Sequence, residues 1–103
     1  MREKHAVCNE SDIPANGKYA AFVGDEEVLI VRSDGRLYAI RDCCSHQEFP
    51  LSHGIVKGKV IKCKAHGAEF DMESGKALCA PAHVPIDVFQ LEVVDGKIYV
   101  ELD

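Results

Sequence analysis

Residues 27–40 read EVLIVRSDGRLYAI, and this stretch decides the fold. Two runs rich in aliphatic residues, 27–31 and 36–40, flank the dipeptide Asp34-Gly35. Asp-Gly readily adopts the positive backbone angles that a tight hairpin turn needs. The stretch therefore predicts two antiparallel strands joined by a short turn.

The C-terminal part of the chain repeats this pattern around Asp95-Gly96. Apolar residues stand at every second position of 89–93 before the turn and of 98–102 after it. This period of two predicts a second hairpin, and residues 54–61 predict a shorter third one. One helical turn is expected near residues 9–14. Short strands separated by frequent turns favour an all-β sandwich or barrel.

Length and charge narrow the class of protein. The 103 residues predict a single domain spanning 1–103, and 47% hydrophobic residues suffice for one core. Twelve basic against seventeen acidic residues give a net charge of −5, which argues against a nucleic-acid partner. No apolar run is long enough to cross a bilayer, and residues 1–5 do not open a signal peptide. We expect a cytoplasmic, monomeric protein with no membrane contact.

Five cysteines are many for a chain without an export signal, and their number is odd. Reducing surroundings favour metal or redox chemistry over structural disulfides. Cys44 and Cys63 each have a histidine within three residues, whereas the other three cysteines do not. We interpret Cys8 and Cys79 as packed apolar residues, and Cys43 as an ordinary thiol beside a metal site.

Two stretches rich in Cys, His, Gly and Pro, residues 42–53 and 63–70, interrupt the strand pattern. Sixteen residues separate His46 from Cys63. Because the short predicted hairpin lies between the two stretches, both loops can return to the same end of the sheet. The four candidate ligands are Cys44 and His46, in Cys44-Ser45-His46, and Cys63 and His66, in Cys63-Lys64-Ala65-His66.

Two cysteines and two histidines suit either tetrahedral zinc or an iron–sulfur cluster. Zinc fingers usually pair like ligands along the chain, whereas here each loop supplies one thiolate and one imidazole. A two-iron cluster explains this arrangement, with both thiolates on one iron and both imidazoles on the other. The spacing favours such a cluster, and a structural zinc-binding module stays open as an alternative.

The ligand pattern resembles that of Rieske-type ferredoxins, the small [2Fe-2S] electron carriers of bacterial and archaeal aromatic-ring oxygenases. The resemblance covers roughly residues 28–102 closely and the N-terminus only loosely. Besides the two ligand motifs, it rests on Leu51-Ser52-His53-Gly54, His66-Gly67, Phe70-Asp71, Ser74-Gly75, Pro81-Ala82, Pro85 and the run from Val93 to Val100.

The resemblance implies a Rieske-type antiparallel β sandwich or barrel with two cluster-binding loops at one tip. It also implies one Rieske-type [2Fe-2S] cluster held by Cys44, His46, Cys63 and His66. The protein would not be an enzyme and would have no catalytic residue. It would be a soluble one-electron carrier in aromatic hydrocarbon catabolism, taking electrons from a flavin-dependent ferredoxin reductase and passing them to a terminal oxygenase.

A Rieske-like small subunit of a nitrite reductase is the other alternative. Some subunits of that kind have lost their ligands, so the presence of all four here favours the carrier.

Two further features bear on the site. A run of lysines without acids is interpreted mainly as a solvated hairpin, and alternatively as a basic cluster tip that docks an acidic partner. The four phenylalanines are expected in the core or shielding the cluster. The lysines are Lys57, Lys59, Lys62 and Lys64, and the phenylalanines are Phe22, Phe49, Phe70 and Phe89.

Overall fold

The structure is a computed structural model that describes residues 3–43, 50–64, 67–78 and 84–102. Short 3₁₀ turns lie at Glu10–Asp12 and Leu51–His53. In these residues no helix has the length and apolar character needed to span a membrane. The strands are β1 (Glu3–Asn9), β2 (Lys18–Val23), β3 (Glu26–Ser33), β4 (Arg36–Arg41), β5 (Ile55–Lys57), β6 (Val60–Lys62), β7 (Glu69–Asp71), β8 (Leu91–Val94) and β9 (Lys97–Leu102).

The strands form three antiparallel sheets of three strands, in the orders β1-β9-β8, β2-β3-β4 and β5-β6-β7. The segment before β8 joins the first two sheets, because Arg41 N donates to Asp87 O (2.9 Å) and Phe89 N to Ala39 O (2.8 Å). These two sheets enclose one core as an open barrel, and the sheet β5–β7 packs against its outside. The predicted all-β antiparallel class is confirmed.

The three predicted hairpins are present. Asp34 and Gly35 have φ of 51° and 79°, and Asp95 and Gly96 have 50° and 78°. In both turns the two residues join strands whose ends pair directly, as a two-residue hairpin turn requires. The third hairpin joins β5 to β6, and the predicted helical turn is the 3₁₀ turn at Glu10–Asp12.

Strand β3 separates two hydrophobic cores, and this explains its continuous apolar run. Val28 and Ile30 lie in the inner core of the barrel, whereas Leu29 and Val31 lie in an outer core beneath the third sheet. All four side chains have no exposed surface. Because both faces of the strand are covered, neither face needs polar residues.

The phenylalanines divide between core and surface. Phe70 is fully buried in the outer core, and Phe89 packs against the inner core. The prediction for Phe22 is wrong, because this side chain on the edge strand β2 is 75% exposed. Phe49 lies outside the described residues.

Candidate metal centre

Cys63 follows β6 directly and is almost completely buried, with 1% of its surface exposed. Its backbone N–H donates to Ala68 O (2.6 Å), and its carbonyl accepts from Gly67 N (3.0 Å). Backbone hydrogen bonds therefore join the two ends of the segment between β6 and β7. Its first residue places a thiol against the outer core, which suits a soft metal ligand shielded from water.

Asp42 and Ser52 close the base of the first loop. Asp42 N donates to Glu27 O (2.9 Å), which continues the sheet one residue beyond β4. The buried carboxylate then accepts from Ser52 N at 2.7 Å through Oδ1. Asp42 and Ser52 thus fix the two ends of the first loop. The motif Cys44-Ser45-His46 lies between them in the sequence.

The 3₁₀ turn after the first loop lies against the second loop. Leu51 is fully buried and shares the outer core with Cys63. Gly54 passes so close to the third sheet that an added Cβ would lie within 3.0 Å of Lys62 O. Lys18 on β2 also fixes Gly54, because its Nζ donates to Gly54 O. The bases of both loops therefore meet at one end of the third sheet, as the intervening hairpin predicted.

A third segment returns to this region after residue 83. Arg41, at the end of β4, contacts Asp87 through Nε (2.8 Å) and Glu26 through Nη2 (2.6 Å). Burial lowers the pKa of Arg41, but the hydrogen bond to Asp87 and the charges of Glu26 and Asp87 outweigh it, and the pKa is raised. A permanent guanidinium thus ties the returning segment to the strand that leads into the first loop.

Of the four predicted ligands, Cys63 lies in the described residues, and Cys44, His46 and His66 lie outside them, as do Cys79 and His83. In the described part of the chain no three metal-binding side chains converge. The ligand set therefore stays a prediction. The buried thiol of Cys63 and the two fixed loop bases fit an iron–sulfur cluster.

Sequence reasoning missed Asp42 and Arg41 as residues that shape the site. Both act on partners distant in sequence, Ser52 for the first and Glu26 and Asp87 for the second. The only local signal is a pair of charged residues placed between a strand and a cysteine-rich loop.

The fixed loop bases and the buried thiol beside an open barrel fit a cluster-binding β domain. Residues 3–90 match a family model described as the Rieske [2Fe-2S] domain. The chain belongs to this family, and its cofactor is a single Rieske-type [2Fe-2S] cluster, as predicted.

Its relatives identify the kind of family member. The chain is similar to Ferredoxin CarAc of Metapseudomonas resinovorans, with 36% identity over 95 residues that cover 91% of this chain and 89% of that protein. It is 33% identical over 98 residues to the ferredoxin component of biphenyl 2,3-dioxygenase from Rhodococcus jostii (strain RHA1), covering 94% of this chain and 91% of that one.

Solved structures agree. A chain in the complex of reduced oxygenase and oxidized ferredoxin of carbazole 1,9a-dioxygenase superposes with a TM-score of 0.87 at 34% identity, covering 94% of this chain and 91% of that one. The ferredoxin of carbazole 1,9a-dioxygenase from Nocardioides aromaticivorans IC177 gives 0.88 at 27%, covering 94% and 95%. The chain is an electron carrier of the ferredoxin type and not a catalytic enzyme, and the zinc-module alternative falls away.

Proposed function

We propose that this chain takes single electrons from a flavin-dependent ferredoxin reductase and passes them to a terminal oxygenase acting on aromatic compounds. The observation that carries the proposal is the likeness, over nearly the whole chain, to a ferredoxin solved in complex with its oxygenase. The curated relatives described above are ferredoxins, one of them named as the ferredoxin component of a biphenyl dioxygenase. The nitrite reductase alternative is weaker for this reason.

The proposed ligands are Cys44, His46, Cys63 and His66. The cluster, when bound, accepts and returns one electron at a potential that histidine ligation raises above that of an all-cysteine centre. The chain's own residues fix the loops: Asp42 closes the first, and the bonds of Cys63 with Gly67 and Ala68 close the second. Because these bonds hold the ends of both loops in place, we expect the loops to rearrange little when the cluster gains or loses an electron.

We also propose that residues 1–103 form one domain and act as a cytoplasmic monomer. The family match ends at residue 90, yet β9 pairs with the N-terminal strand β1 through six residue pairs, from Glu3↔Leu102 to Asn9↔Lys97. The last hairpin therefore completes the same barrel. The radius of gyration, 12.8 Å, is that expected of a single domain of about this length.

Reconstitution tests the electron route. The purified chain is combined with a flavin-dependent reductase that reduces it and with an aromatic-ring oxygenase, and product formation is measured with and without the chain. We expect turnover to require the chain and to stop when His46→Ala removes a proposed ligand. Reduction of the chain without any transfer to an oxygenase, together with support of nitrite reduction, would favour the nitrite reductase alternative.

The two adjacent cysteines test the ligand set. Cys44→Ser should abolish the visible absorption and the iron content of the purified protein, because a proposed thiolate ligand is lost. Cys43→Ser is the matched control and should keep both, since Cys43 lies beside the motif. The opposite result would shift the proposed ligand by one residue.

A further inference from the structure

Two lysines flank Cys63 at the end of the third sheet where the loop bases meet. Lys62 ends β6, and its Cε lies 3.5 Å from the position that a Cβ on Gly67 would take, so its side chain follows the second loop. Lys64 follows Cys63, and both lysines are exposed. Within the ranges that the structure describes, neither takes part in an ion pair. Among the described residues, their charges are thus not compensated.

The other two lysines of the run are placed differently. Lys57 and Lys59 lie at the β5–β6 turn, at the opposite end of these short strands. Lys59 Nζ is 3.7 Å from Asp71 Oδ2 and 3.8 Å from Glu73 Oε2, so its charge is already compensated. The run of four is thus divided by the hairpin into a far pair and a pair beside the second loop.

Exposed apolar side chains lie beside Lys62. Ile55 is its neighbour on β5 and is 65% exposed, and Glu69 is its neighbour on β7. Leu78 continues the row, since its N–H donates to Glu69 O (2.7 Å), and it is 48% exposed. We call Ile55, Lys62, Lys64 and Leu78 the ligand-end face. With the half-buried Glu69 counted, its net charge is positive although the chain carries −5.

Charge indicates which redox partner this face suits. Two ferric ions, two sulfides, two thiolates and two neutral imidazoles sum to zero, and one added electron makes the core negative. Carboxylates placed against Lys62 and Lys64 therefore attract the oxidised carrier more than the reduced one. A partner that delivers electrons needs this preference, because it must bind the oxidised form and release the reduced form.

We propose that the ligand-end face docks a carboxylate-rich surface of the electron donor, the flavin-dependent reductase. This inference rests on the proposed function and adds the partner, the residues and the sign of the charge. Ile55 and Leu78 supply the apolar contact, and the two lysines steer the encounter. Electron-transfer contacts are small, so a few residues of this kind suffice.

Reduction kinetics with a flavin-dependent reductase that reduces the wild-type chain test the proposal at increasing NaCl concentrations. The double variant Lys62→Gln/Lys64→Gln should raise KM for the chain about 3- to 10-fold at low salt, with kcat unchanged and a weaker salt dependence. The matched control, Lys57→Gln/Lys97→Gln, has the same net charge and should stay within about twofold of wild type. Equal effects in both double variants, or a wild-type rate that rises with salt, would overturn the proposal.

Carbodiimide cross-linking gives a readout that does not depend on electron flow. Lys62 or Lys64 should be recovered by mass spectrometry joined to an Asp or Glu of the reductase, and cross-links through Lys57 or Lys97 alone would contradict the proposal. Ile55→Ser should raise KM and leave the salt dependence unchanged. If KM does not rise, Ile55 is not part of the face.

Reduction with dithionite distinguishes failure of the docking proposal from failure of the proposed function. If the wild-type protein shows no cluster spectrum that dithionite bleaches, the proposed function is contradicted. If the spectrum is normal but both double variants have equal KM values, only the docking face is contradicted.

Discussion

Asp42 shows how one side chain can fix the two ends of a loop. It is 7% exposed, its N–H extends the sheet to Glu27, and its carboxylate accepts from Ser52 N. The two ends of the first loop are thereby held a hydrogen bond apart. A lone carboxylate buried without such a partner would be costly, so the bond also accounts for the burial.

Replacing Asp42 tests this role. Asp42→Ala leaves the partly buried Ser52 N–H without an acceptor, which costs about 1–2 kcal/mol. The midpoint of thermal unfolding should fall by roughly 4–8 °C per kcal/mol for a domain of this size. Asp42→Asn keeps an oxygen acceptor and should lose less than half as much. If the two variants are equally destabilised, the carboxylate acts through its charge and not through this bond.

At the residue scale, the sequence predicted candidate metal ligands but missed residues whose role is only structural. The mixed Cys and His spacing predicted Cys63 as a ligand; its burial in the outer core fits that prediction, which stays untested. The bonds of Asp42 and Lys18 were not predicted, because each side chain bonds a backbone group that only folding brings close. Phe22 was misjudged because composition does not reveal which strand becomes an edge.

At the scale of elements, Gly75 lies where two segments approach each other closely. It has φ of +83°, and an added Cβ would lie well within 3.0 Å of Ile86 O. Its own carbonyl accepts from Ile86 N at 2.8 Å. The turn after β7 and the segment that returns toward β8 are thus in direct backbone contact. A side chain at position 75 would prevent this contact.

Gly75→Ala should therefore destabilise the protein by about 3 kcal/mol or more, from backbone strain and the clash together. Gly24→Ala is the matched control, since Gly24 also has positive φ (+62°) but open space where a Cβ would lie. It should cost only about 1 kcal/mol, from the left-handed backbone conformation. Similar losses of thermal stability in both variants would show that the contact with Ile86 is unimportant.

The turn after β7 also carries a pH-dependent contribution to stability. Burial raises the pKa of Asp71, but hydrogen bonds from Glu73 N (2.8 Å) and Ser74 N (3.3 Å) and the charge of Lys59 outweigh this, and the pKa is lowered from 3.8. A carboxylate with a lowered folded-state pKa stabilises the fold above its unfolded pKa. This stabilisation is lost as pH falls through the folded-state value.

Asp71→Asn should consequently unfold at a lower temperature than wild type at pH 7, by the equivalent of less than about 1 kcal/mol. The difference should shrink as the pH is lowered below 3.8, where Asp71 becomes protonated. Thermal unfolding of both proteins from pH 7 to pH 3 measures it. A difference that stays constant over this range would mean that the charge of Asp71 has no role.

Elements defined by local turn chemistry were predictable, and those defined by distant pairing were not. The hairpins around Asp34 and Asp95 followed from Asp-Gly and a period of two. Strands β1, β2 and β7 were not predicted individually: β1 contains a bulge between Ala6 and Cys8, and β7 has only three residues, the first two of them inside a predicted loop. Their pairing comes from β9, β3 and β6, which no short window of sequence contains.

For the whole molecule, the all-β class and the cofactor followed from the sequence, whereas the arrangement of layers did not. A continuous apolar run such as 28–31 indicates burial on both faces but not what covers each face. The structure answers this with two cores, one inside the barrel and one beneath the sheet β5–β7 on its outside. The hairpin of the third sheet places Lys62 and Lys59 at its opposite ends. Of the four lysines that follow one another in the sequence, only Lys62 and Lys64 therefore lie on the ligand-end face.

We propose above all that this chain holds one iron pair with sulfur donors on one metal and imidazole nitrogen donors on the other. Electron–nuclear double resonance on the dithionite-reduced protein tests this most directly, through the nitrogens coupled to the unpaired electron. We expect two coupled histidine nitrogens in the wild type and loss of the native signal in His66→Ala. A reduced protein without strongly coupled nitrogen, or one that contains zinc and gives no signal, would contradict it.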